Sequence, residues 1–383
     1  MQHLYSNGVA TRVDTRIIGK LTSQPIDDVD LRRDFVVDCR TDRLDAFIAD
    51  PAGYAAALCV TGCERAAPPL PTVSGVPNLE YLADGDVVVI MPSGRVNVVY
   101  RRSSYHNTIL TTERCNSLCL MCSQPPRPDD DSYRVGEILC LIDLVDEECL
   151  ELGLSGGEPA LLGNDLIRII AKCEERLPNT ALHMLTNGRL FRDRTYAHRL
   201  GAIRHHDLML GIPLYSDVAQ LHNYVVQAAG AFDETLDGLY NLAEARVPIE
   251  IRVVVHRQTY QRLPQLAEFI YRNLPFVSQV ALMGMEMVGL VHQNLDALWI
   301  DPADFQEELE QATISLALRG MKVLLYNHQL CVLRKRLWPF AVRSISDWKN
   351  AYLAECEACS VREQCGGLFW SALKKHSEHI HSL

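Results

Sequence analysis

The chain has 383 residues, of which 48% are hydrophobic and 22% charged, as in an ordinary soluble globular protein. Its net charge of −11 argues against a general binder of nucleic acid or anionic membranes, because phosphate contacts need clustered Lys and Arg. No apolar run is long enough to span a bilayer, and residues 1–7 lack the basic and apolar parts of a secretory signal, so we expect a cytoplasmic protein.

Residues 1–104 are expected to form a separate N-terminal α+β domain. The clearest element in it is a β-hairpin, with strands over 86–91 and 95–100 joined by the turn Pro92-Ser93-Gly94. No catalytic constellation is visible in this domain. We therefore consider it a candidate for docking a peptide or a partner.

From residue 106 the pattern changes to strands that alternate with helices. Apolar runs predict six strands, at 107–111, 150–155, 181–185, 208–214, 249–255 and 279–283. Apolar positions at helical spacing predict helices between them, at 135–145, 165–176, 234–245 and 263–273. This alternation is typical of a parallel α/β sheet, in which ligands bind beyond the carboxyl ends of the strands.

A group of three cysteines, Cys115, Cys119 and Cys122, follows the first of these strands. The chain has 13 cysteines, a high and odd number that favours metal binding or catalysis over a disulfide framework. A zinc knuckle would need a fourth Cys or His close by, and the nearest histidine, His106, lies on the other side of the strand. Three thiolates instead favour an iron–sulfur cubane with one open iron.

A second cysteine group lies near residue 360, after a predicted helix at 304–318 and a predicted strand at 322–326. It comprises Cys356, Cys359 and Cys365, with Cys331 upstream. The spacing permits either a four-cysteine zinc ribbon or one auxiliary cubane. The three histidines within 376–381 are expected to belong to a frayed terminus rather than to a metal site.

The first cysteine group resembles the cluster-binding motif of the radical S-adenosylmethionine (SAM) superfamily. Gly156-Gly157-Glu158, which follows the next predicted strand, resembles the superfamily motif that binds the amine of the methionine moiety. Glycines let the backbone approach a ligand, and a carboxylate accepts charge-assisted hydrogen bonds from an ammonium group. The pairing of the two motifs is therefore far more specific than either alone.

Three further residues match positions at which this superfamily contacts SAM. Ser216 ends the fourth predicted strand, and Arg252 lies inside the fifth, where an inward-facing side chain would bind the SAM carboxylate. The alternative for Arg252 is an ordinary surface position at a strand end. Met121 stands where the superfamily usually has an aromatic residue, and its flexible apolar side chain is expected to pack on the adenine.

The second cysteine group resembles the auxiliary-cluster region, of SPASM or shortened twitch type, of peptide-modifying radical SAM enzymes. No cysteine follows Cys365, so the resemblance implies one auxiliary [4Fe–4S] cluster held by Cys331, Cys356, Cys359 and Cys365. The runs 119–126 and 344–350 resemble the radical SAM maturases of His-Xaa-Ser peptide systems. The resemblance implies a partial (βα)6 barrel of the TIM type over 105–300 and an auxiliary-cluster region over 301–383.

The resemblance also implies a reaction. A reduced [4Fe–4S] cluster would cleave SAM to a 5′-deoxyadenosyl radical, which would take hydrogen from a ribosomally made precursor peptide and lead to an oxidative modification or crosslink. A flavodoxin or ferredoxin reductant and a second radical SAM maturase are the implied partners, with no nucleic acid and no membrane.

Two alternatives remain. One is a radical SAM enzyme of the activating or sulfatase-maturing type, which acts on another protein or on a small molecule. The other is a non-catalytic iron–sulfur or zinc redox protein. Gly156-Gly157-Glu158 argues against the second, because a scaffold does not need a site for the SAM amine.

Overall fold

Two eight-stranded sheets organise the described part of this computed structural model, residues 3–40, 50–60 and 70–383. The rest of the predicted N-terminal domain lies outside the described residues. The first sheet has the spatial order β1-β8-β7-β3-β4-β5-β6-β2. Its strands are β1 Tyr5–Asn7, β2 Val9–Thr11, β3 Ile17–Thr22, β4 Phe35–Cys39, β5 Ala56–Cys59, β6 Thr72–Ser74, β7 Val87–Ile90 and β8 Arg95–Tyr100.

The first sheet is mixed, and the predicted hairpin is one part of it. Strands β7 and β8 pair antiparallel, with Val88 opposite Val98 and Ile90 opposite Val96. Strands β3 to β6 pair parallel. Alternation in β8 buries every second residue, which gives this strand one face toward a core.

The second sheet is entirely parallel, and its strands follow one another in chain order. The six strands predicted between 107 and 283 and the strand predicted at 322–326 are all confirmed, and one more strand continues the sheet at its far edge. The strands are β9 Asn107–Leu110, β10 Glu151–Ser155, β11 Ala181–Leu185, β12 Leu208–Pro213, β13 Ile249–Val254, β14 Gln279–Met283, β15 Val323–Tyr326 and β16 Ala341–Val342.

Helices cover the outer side of this sheet. They are α1 Tyr133–Leu144, α2 Asn164–Arg176, α3 Arg194–Gly201, α4 Ala219–Val226, α5 Ala231–Glu244, α6 Leu263–Asn273, α7 Leu295–Leu298 and α8 Gln306–Leu318. Helix α2 buries Leu166, Ile169, Ile170 and Cys173, the apolar stripe expected from its sequence. No helix among the described residues is both long enough and apolar enough to cross a membrane.

The parallel sheet curls into an open barrel. Side chains of the edge strands β9 and β16, such as Leu110 and Val342, line the same cavity as Arg252 of the central strand β13. This is the α/β architecture that the sequence predicts. The last fifty residues add a small antiparallel pair, β17 Asn350–Ala351 and β18 Leu368–Phe369.

One hydrophobic cluster joins the two large sheets, and the first sheet also has buried clusters of its own. Val87 and Tyr100 of the first sheet belong to the same buried cluster as Ile109 and Leu152 of the barrel. Ion pairs between Arg16 and Glu137, and between Lys20 and Asp146, tie the first sheet to α1 and the residues just after it. The N-terminal sheet is therefore packed on the barrel.

Candidate functional site

The first cysteine group lies on a loop that follows β9 and is pinned from two sides. The backbone N–H groups of Leu118 and Leu120 donate to the carbonyls of Val226 and Val225, at 3.1 and 2.9 Å. On the other side, Leu290 N–H donates to the Cys122 carbonyl at 2.9 Å. The loop that carries the three thiols is therefore held in a defined shape at the carboxyl edge of the barrel.

The start of this loop is fixed by Asp131, a buried residue just ahead of α1. Its carboxylate accepts hydrogen bonds from Thr112 Oγ1 at 3.0 Å and from Glu113 N–H at 2.6 Å. Arg114 Nε lies 3.1 Å from the same group. The two ends of the long β9–α1 connection are thus bonded to each other beneath the cysteines.

Gly156 and Gly157 form the neighbouring loop, at the end of β10, and pack directly on this segment. Gly157 N–H donates to the Thr112 carbonyl at 2.7 Å, and a Cβ at position 157 would lie 2.1 Å from the Arg114 carbonyl oxygen. A Cβ at position 156 would lie 2.5 Å from the Thr112 oxygen. Gly156 and Gly157 are therefore required because their backbone lies so close to the start of the cysteine loop.

Glu158 is fully buried and joins the ends of two strands. Its carboxylate accepts hydrogen bonds from Ala160 N–H at 2.9 Å, from Asn187 N–H at 2.6 Å and from the Thr186 hydroxyl. Burial raises the pKa of Glu158, although these donors act in the opposite direction. The carboxylate therefore fastens the β10 loop to the residues that follow β11.

Asn187 and Arg189 also hold the cysteine loop, a role that the sequence analysis missed. Asn187 Nδ2 donates to Asn116 Oδ1 at 2.6 Å, and Arg189 Nη1 donates to Ser117 Oγ at 3.0 Å. The available signal was their position directly after a strand of a parallel sheet, where ligand-binding residues gather.

The three thiols are partly buried and free. Burial raises the pKa of Cys115 to about 11 and that of Cys119 to about 12, and it also raises the pKa of Cys122. These side chains are neutral at pH 7 until a metal displaces their protons. Among the described residues, no three Cys, His, Asp or Glu side chains converge on a point that suits a single metal ion.

A cavity of about 680 Å³ opens inside the barrel next to this loop. Met121 and Gln124 of the cysteine loop line it together with Ser155 and Arg252 of the barrel strands. Its walls also include Tyr100 of the first sheet and residues from 342–349 and 369 of the C-terminal region. A cavity of this size accommodates a small-molecule cofactor together with a substrate side chain.

Arg252 points into this cavity and is not on the outer surface. Its Nη1 donates to Glu250 Oε1 at 2.9 Å, and its guanidinium lies 5.7 Å from the centroid of the Tyr326 ring. Glu250 has no exposure to solvent. The arginine is therefore presented to the cavity with one of its donors already paired.

The other predicted SAM contacts lie in different surroundings. Met121 is buried in an apolar cluster with Tyr215, Val225 and Met287, and one side of it faces the cavity. Ser216 is buried in the turn after β12, where its Oγ accepts a hydrogen bond from Val218 N–H at 3.1 Å. Ser216 is not among the residues that line the cavity.

The four C-terminal cysteines meet at a second, smaller cavity. Cys331, Cys356, Cys359 and Cys365 all line it, although 34 positions separate the first from the last. Burial raises the pKa of the Cys331 thiol. The remaining walls are mainly apolar, with Leu330, Val361, Leu368 and Ile380 among them.

The two cysteine groups differ in their number of sulfur donors and in the cavity beside them. The first offers three sulfur donors on a pinned loop beside a large cavity, and the second offers four donors around a small, mainly apolar one. An open parallel α/β barrel with a three-cysteine loop at its carboxyl edge defines an α/β protein whose candidate functional site lies at that edge.

Residues 109–270 match the Radical SAM superfamily, and the chain therefore contains a radical SAM domain. Over 224 residues, the chain is 30% identical to the PqqA peptide cyclase of Granulibacter bethesdensis, a match that covers 56% of each chain. It thus spans little more than half the length of that relative.

Solved structures give weaker matches. SuiB of Streptococcus suis bound to S-adenosylmethionine aligns with a TM-score of 0.49 at 14% identity, over 72% of this chain and 75% of that one. The structure of anSMEcpe with bound AdoMet and a peptide aligns with a TM-score of 0.43 at 14% identity, over 57% of this chain and 62% of that one.

Proposed function

We propose that this protein is a radical SAM maturase that modifies a ribosomally made precursor peptide. The observation that carries the proposal is the direct backbone contact between the cysteine loop and the Gly156–Glu158 loop. Their backbones are bonded to each other at Gly157 and Glu158, beside a cavity of about 680 Å³. This contact between two motifs that are separate in the sequence supports one shared site within the region that matches the Radical SAM superfamily.

Each residue of this site has a proposed role. Cys115, Cys119 and Cys122 hold a [4Fe–4S] cluster with one open iron, which supplies the electron that splits SAM into methionine and a 5′-deoxyadenosyl radical. The Gly156–Glu158 loop positions the amine of SAM. Arg252 and Ser216 bind other polar groups of SAM, and Met121 packs on its adenine. The inward direction of Arg252 and the position of Met121 on the cavity wall support these roles.

The proposed substrate is a peptide of the His-Xaa-Ser type, and the expected product carries an oxidative modification or a crosslink. The two runs that resemble His-Xaa-Ser maturases, 119–126 and 344–350, support this proposal, because Gln124 of the first and Trp348 and Lys349 of the second line the same cavity. The name of the relative from Granulibacter bethesdensis, a peptide cyclase, agrees with a peptide substrate.

Further parts of the proposal concern the rest of the chain. Cys331, Cys356, Cys359 and Cys365 hold one auxiliary [4Fe–4S] cluster, which accepts an electron from the substrate radical. Residues 1–104 dock the peptide or a partner, 105–300 form the catalytic core and 301–383 the auxiliary-cluster region. A flavodoxin or ferredoxin supplies electrons, a second radical SAM maturase works on the same peptide, and the reducing cytoplasm keeps the thiols free.

The test is anaerobic reconstitution with iron and sulfide, followed by dithionite and SAM. Because a cubane carries four irons, we expect about eight irons per chain in the parent and about four in the triple variant Cys115→Ala, Cys119→Ala and Cys122→Ala. We expect 5′-deoxyadenosine only from the parent. Cys140→Ala is the matched control, because Cys140 is an exposed free thiol on α1. Failure of the fully loaded parent to form 5′-deoxyadenosine would overturn the enzyme proposal.

Peptide chemistry needs its own measurement. The loaded protein is incubated with SAM and a precursor peptide that contains His-Xaa-Ser repeats, and the product is analysed by mass spectrometry. A loss of hydrogen from the peptide supports the proposed substrate. Formation of 5′-deoxyadenosine with an unmodified peptide would direct the search to another protein or to a small molecule.

A further inference from the structure

The segment at 376–383, expected from the sequence to be frayed, is held in place by several hydrogen bonds. The Ser377 hydroxyl donates to Asp301 Oδ1 at 2.6 Å, and Glu378 N–H donates to Asp301 Oδ2 at 3.1 Å. Farther along, the Leu383 carbonyl accepts a hydrogen bond from Ser360 N–H at 2.9 Å. Anchors at both of its ends fix the path of the segment.

This path runs across the C-terminal cysteine cavity. Ile380 and His381 line the cavity together with Cys331, Cys356, Cys359 and Cys365. Ser377 is buried, whereas His379 is exposed and does not line this cavity. The segment therefore turns one apolar side chain toward the thiols and leaves a neighbouring histidine in solvent.

The segment also lies beside Cys331 at a wider neighbouring cavity. Ile380 and His381 line this cavity together with Cys331 and Val332. Cys331 is the member of the group most distant in sequence, 25 positions before Cys356. Cys356, Cys359 and Cys365 are kept together by their closeness in sequence, whereas Cys331 is not. The segment thus lies beside the one cysteine that is distant in sequence from the other three.

We propose that residues 377–383 form a fixed cover over the auxiliary cluster, with Ile380 excluding water from the sulfur donors. This inference rests on the proposed function, which assigns a cluster to these four cysteines. Solvent exposure and hydrogen bonds to the sulfurs are two of the factors that set the reduction potential of an iron–sulfur cluster. The cover would therefore act on the cluster by limiting its exposure to solvent.

The test uses the full chain with Cys115→Ala, Cys119→Ala and Cys122→Ala, so that only the auxiliary cluster contributes to the signal. The decay of its visible absorbance in air is compared between this parent, Ile380→Ala and Asp301→Asn. We expect severalfold faster decay in both variants, because the first opens the wall and the second removes the acceptor of Glu378 N–H. His379→Ala is the matched control and is expected to decay like the parent.

The possible failures are distinguishable. A parent that binds no iron at these cysteines would overturn the auxiliary cluster and the cover together. A parent with about four irons whose colour decays at the same rate in all variants would overturn the cover alone and leave the proposed function standing. Circular dichroism melting curves show whether each variant is folded.

Discussion

At the scale of single residues, Gly157 couples the two motifs of the candidate active site. A Cβ at this position would lie 2.1 Å from the Arg114 carbonyl oxygen, a backbone atom that only a shift of the loop can move. We expect Gly157→Ala to lower the free energy of unfolding by roughly 1–3 kcal/mol, as overpacking does, and to reduce iron binding at the first site. Denaturant unfolding and iron analysis measure the two effects.

Gly136 provides the matched control for that substitution. It lies in helix α1, and a Cβ there would meet no atom within 4 Å. Gly136→Ala is expected to raise stability by about 1 kcal/mol, because alanine has the higher helix propensity. Normal iron binding and normal stability in Gly157→Ala would show that the loop tolerates a side chain.

The sequence located these residues but not their contacts. Gly156-Gly157-Glu158 was predicted as a site because it follows a strand and a cysteine triplet. That Glu158 bonds to Thr186 and Asn187, 28 and 29 positions later, depends on how two loops pack. Asn187 was not predicted as part of the site, because the pair Asn187-Gly188 is also typical of an ordinary turn.

At the scale of elements, one buried carboxylate connects neighbouring strands of the barrel. Glu250 of β13 accepts hydrogen bonds from Gln279 of β14 and from the Tyr326 hydroxyl of β15, the latter at 3.1 Å. His183 Nε2 of β11 lies 3.5 Å from Glu250 Oε1, across the intervening strand β12. A single side chain thus stabilises the curvature of the sheet around the cavity.

The charge of Glu250 makes this arrangement sensitive to pH. Burial opposes ionisation, but the His183 ring and the Arg252 guanidinium more than offset it and lower the pKa of Glu250 from 4.5 to about 2. Since the folded pKa is the lower one, the ionised group stabilises the fold above pH 4.5, and this stability is lost as the pH falls toward 2. The shift corresponds to roughly 3 kcal/mol.

We therefore expect Glu250→Gln to be less stable than the parent near neutral pH and to lose less stability on acidification. Urea unfolding at a series of pH values down to the acid limit measures both. Glu148→Gln, at an exposed position after α1, is the control and should follow the parent. Equal pH dependence in the parent and in Glu250→Gln would contradict the assigned charge.

Strand prediction succeeded in the second sheet. The six runs between 107 and 283 are mainly apolar segments, and each lies within about one residue of the observed strand. Strand β16 has only two residues and carries no detectable pattern. In the first sheet, β1, β2 and β6 have three residues each and carry little pattern. The longer β3 and β4 were also missed, because Lys20 and Asp38 interrupt their apolar runs.

At the scale of the whole molecule, one ion pair joins the N-terminal and C-terminal parts across the cavity. Arg101 Nη2 lies 2.7 and 2.8 Å from the two carboxylate oxygens of Asp347, and Ser104 Oγ lies 3.2 Å from one of them. Arg101 is buried, whereas Asp347 is partly exposed. The pair joins two residues that are 246 positions apart in the sequence.

Asp347→Asn is expected to lower the free energy of unfolding by about 1–3 kcal/mol, because the buried guanidinium loses its charged partner. Hydrogen exchange should rise at residues 98–104 and 344–349. Asp165→Asn is the control, since its pair with Arg168 lies on the exposed surface of α2. An effect of the same size in both variants would show that the Arg101 pair has no special role.

The connection from β8 to β9 has a mechanical consequence. Asn107 accepts a hydrogen bond from Arg101 N–H at 2.8 Å and donates to the carbonyls of Arg101 and Ser104, at 2.9 and 3.0 Å. A hydrogen-bonded turn thus joins the two sheets. Strand β9, which follows this turn, leads directly into the cysteine loop. A displacement of the N-terminal sheet would therefore be transmitted directly to the cysteine loop.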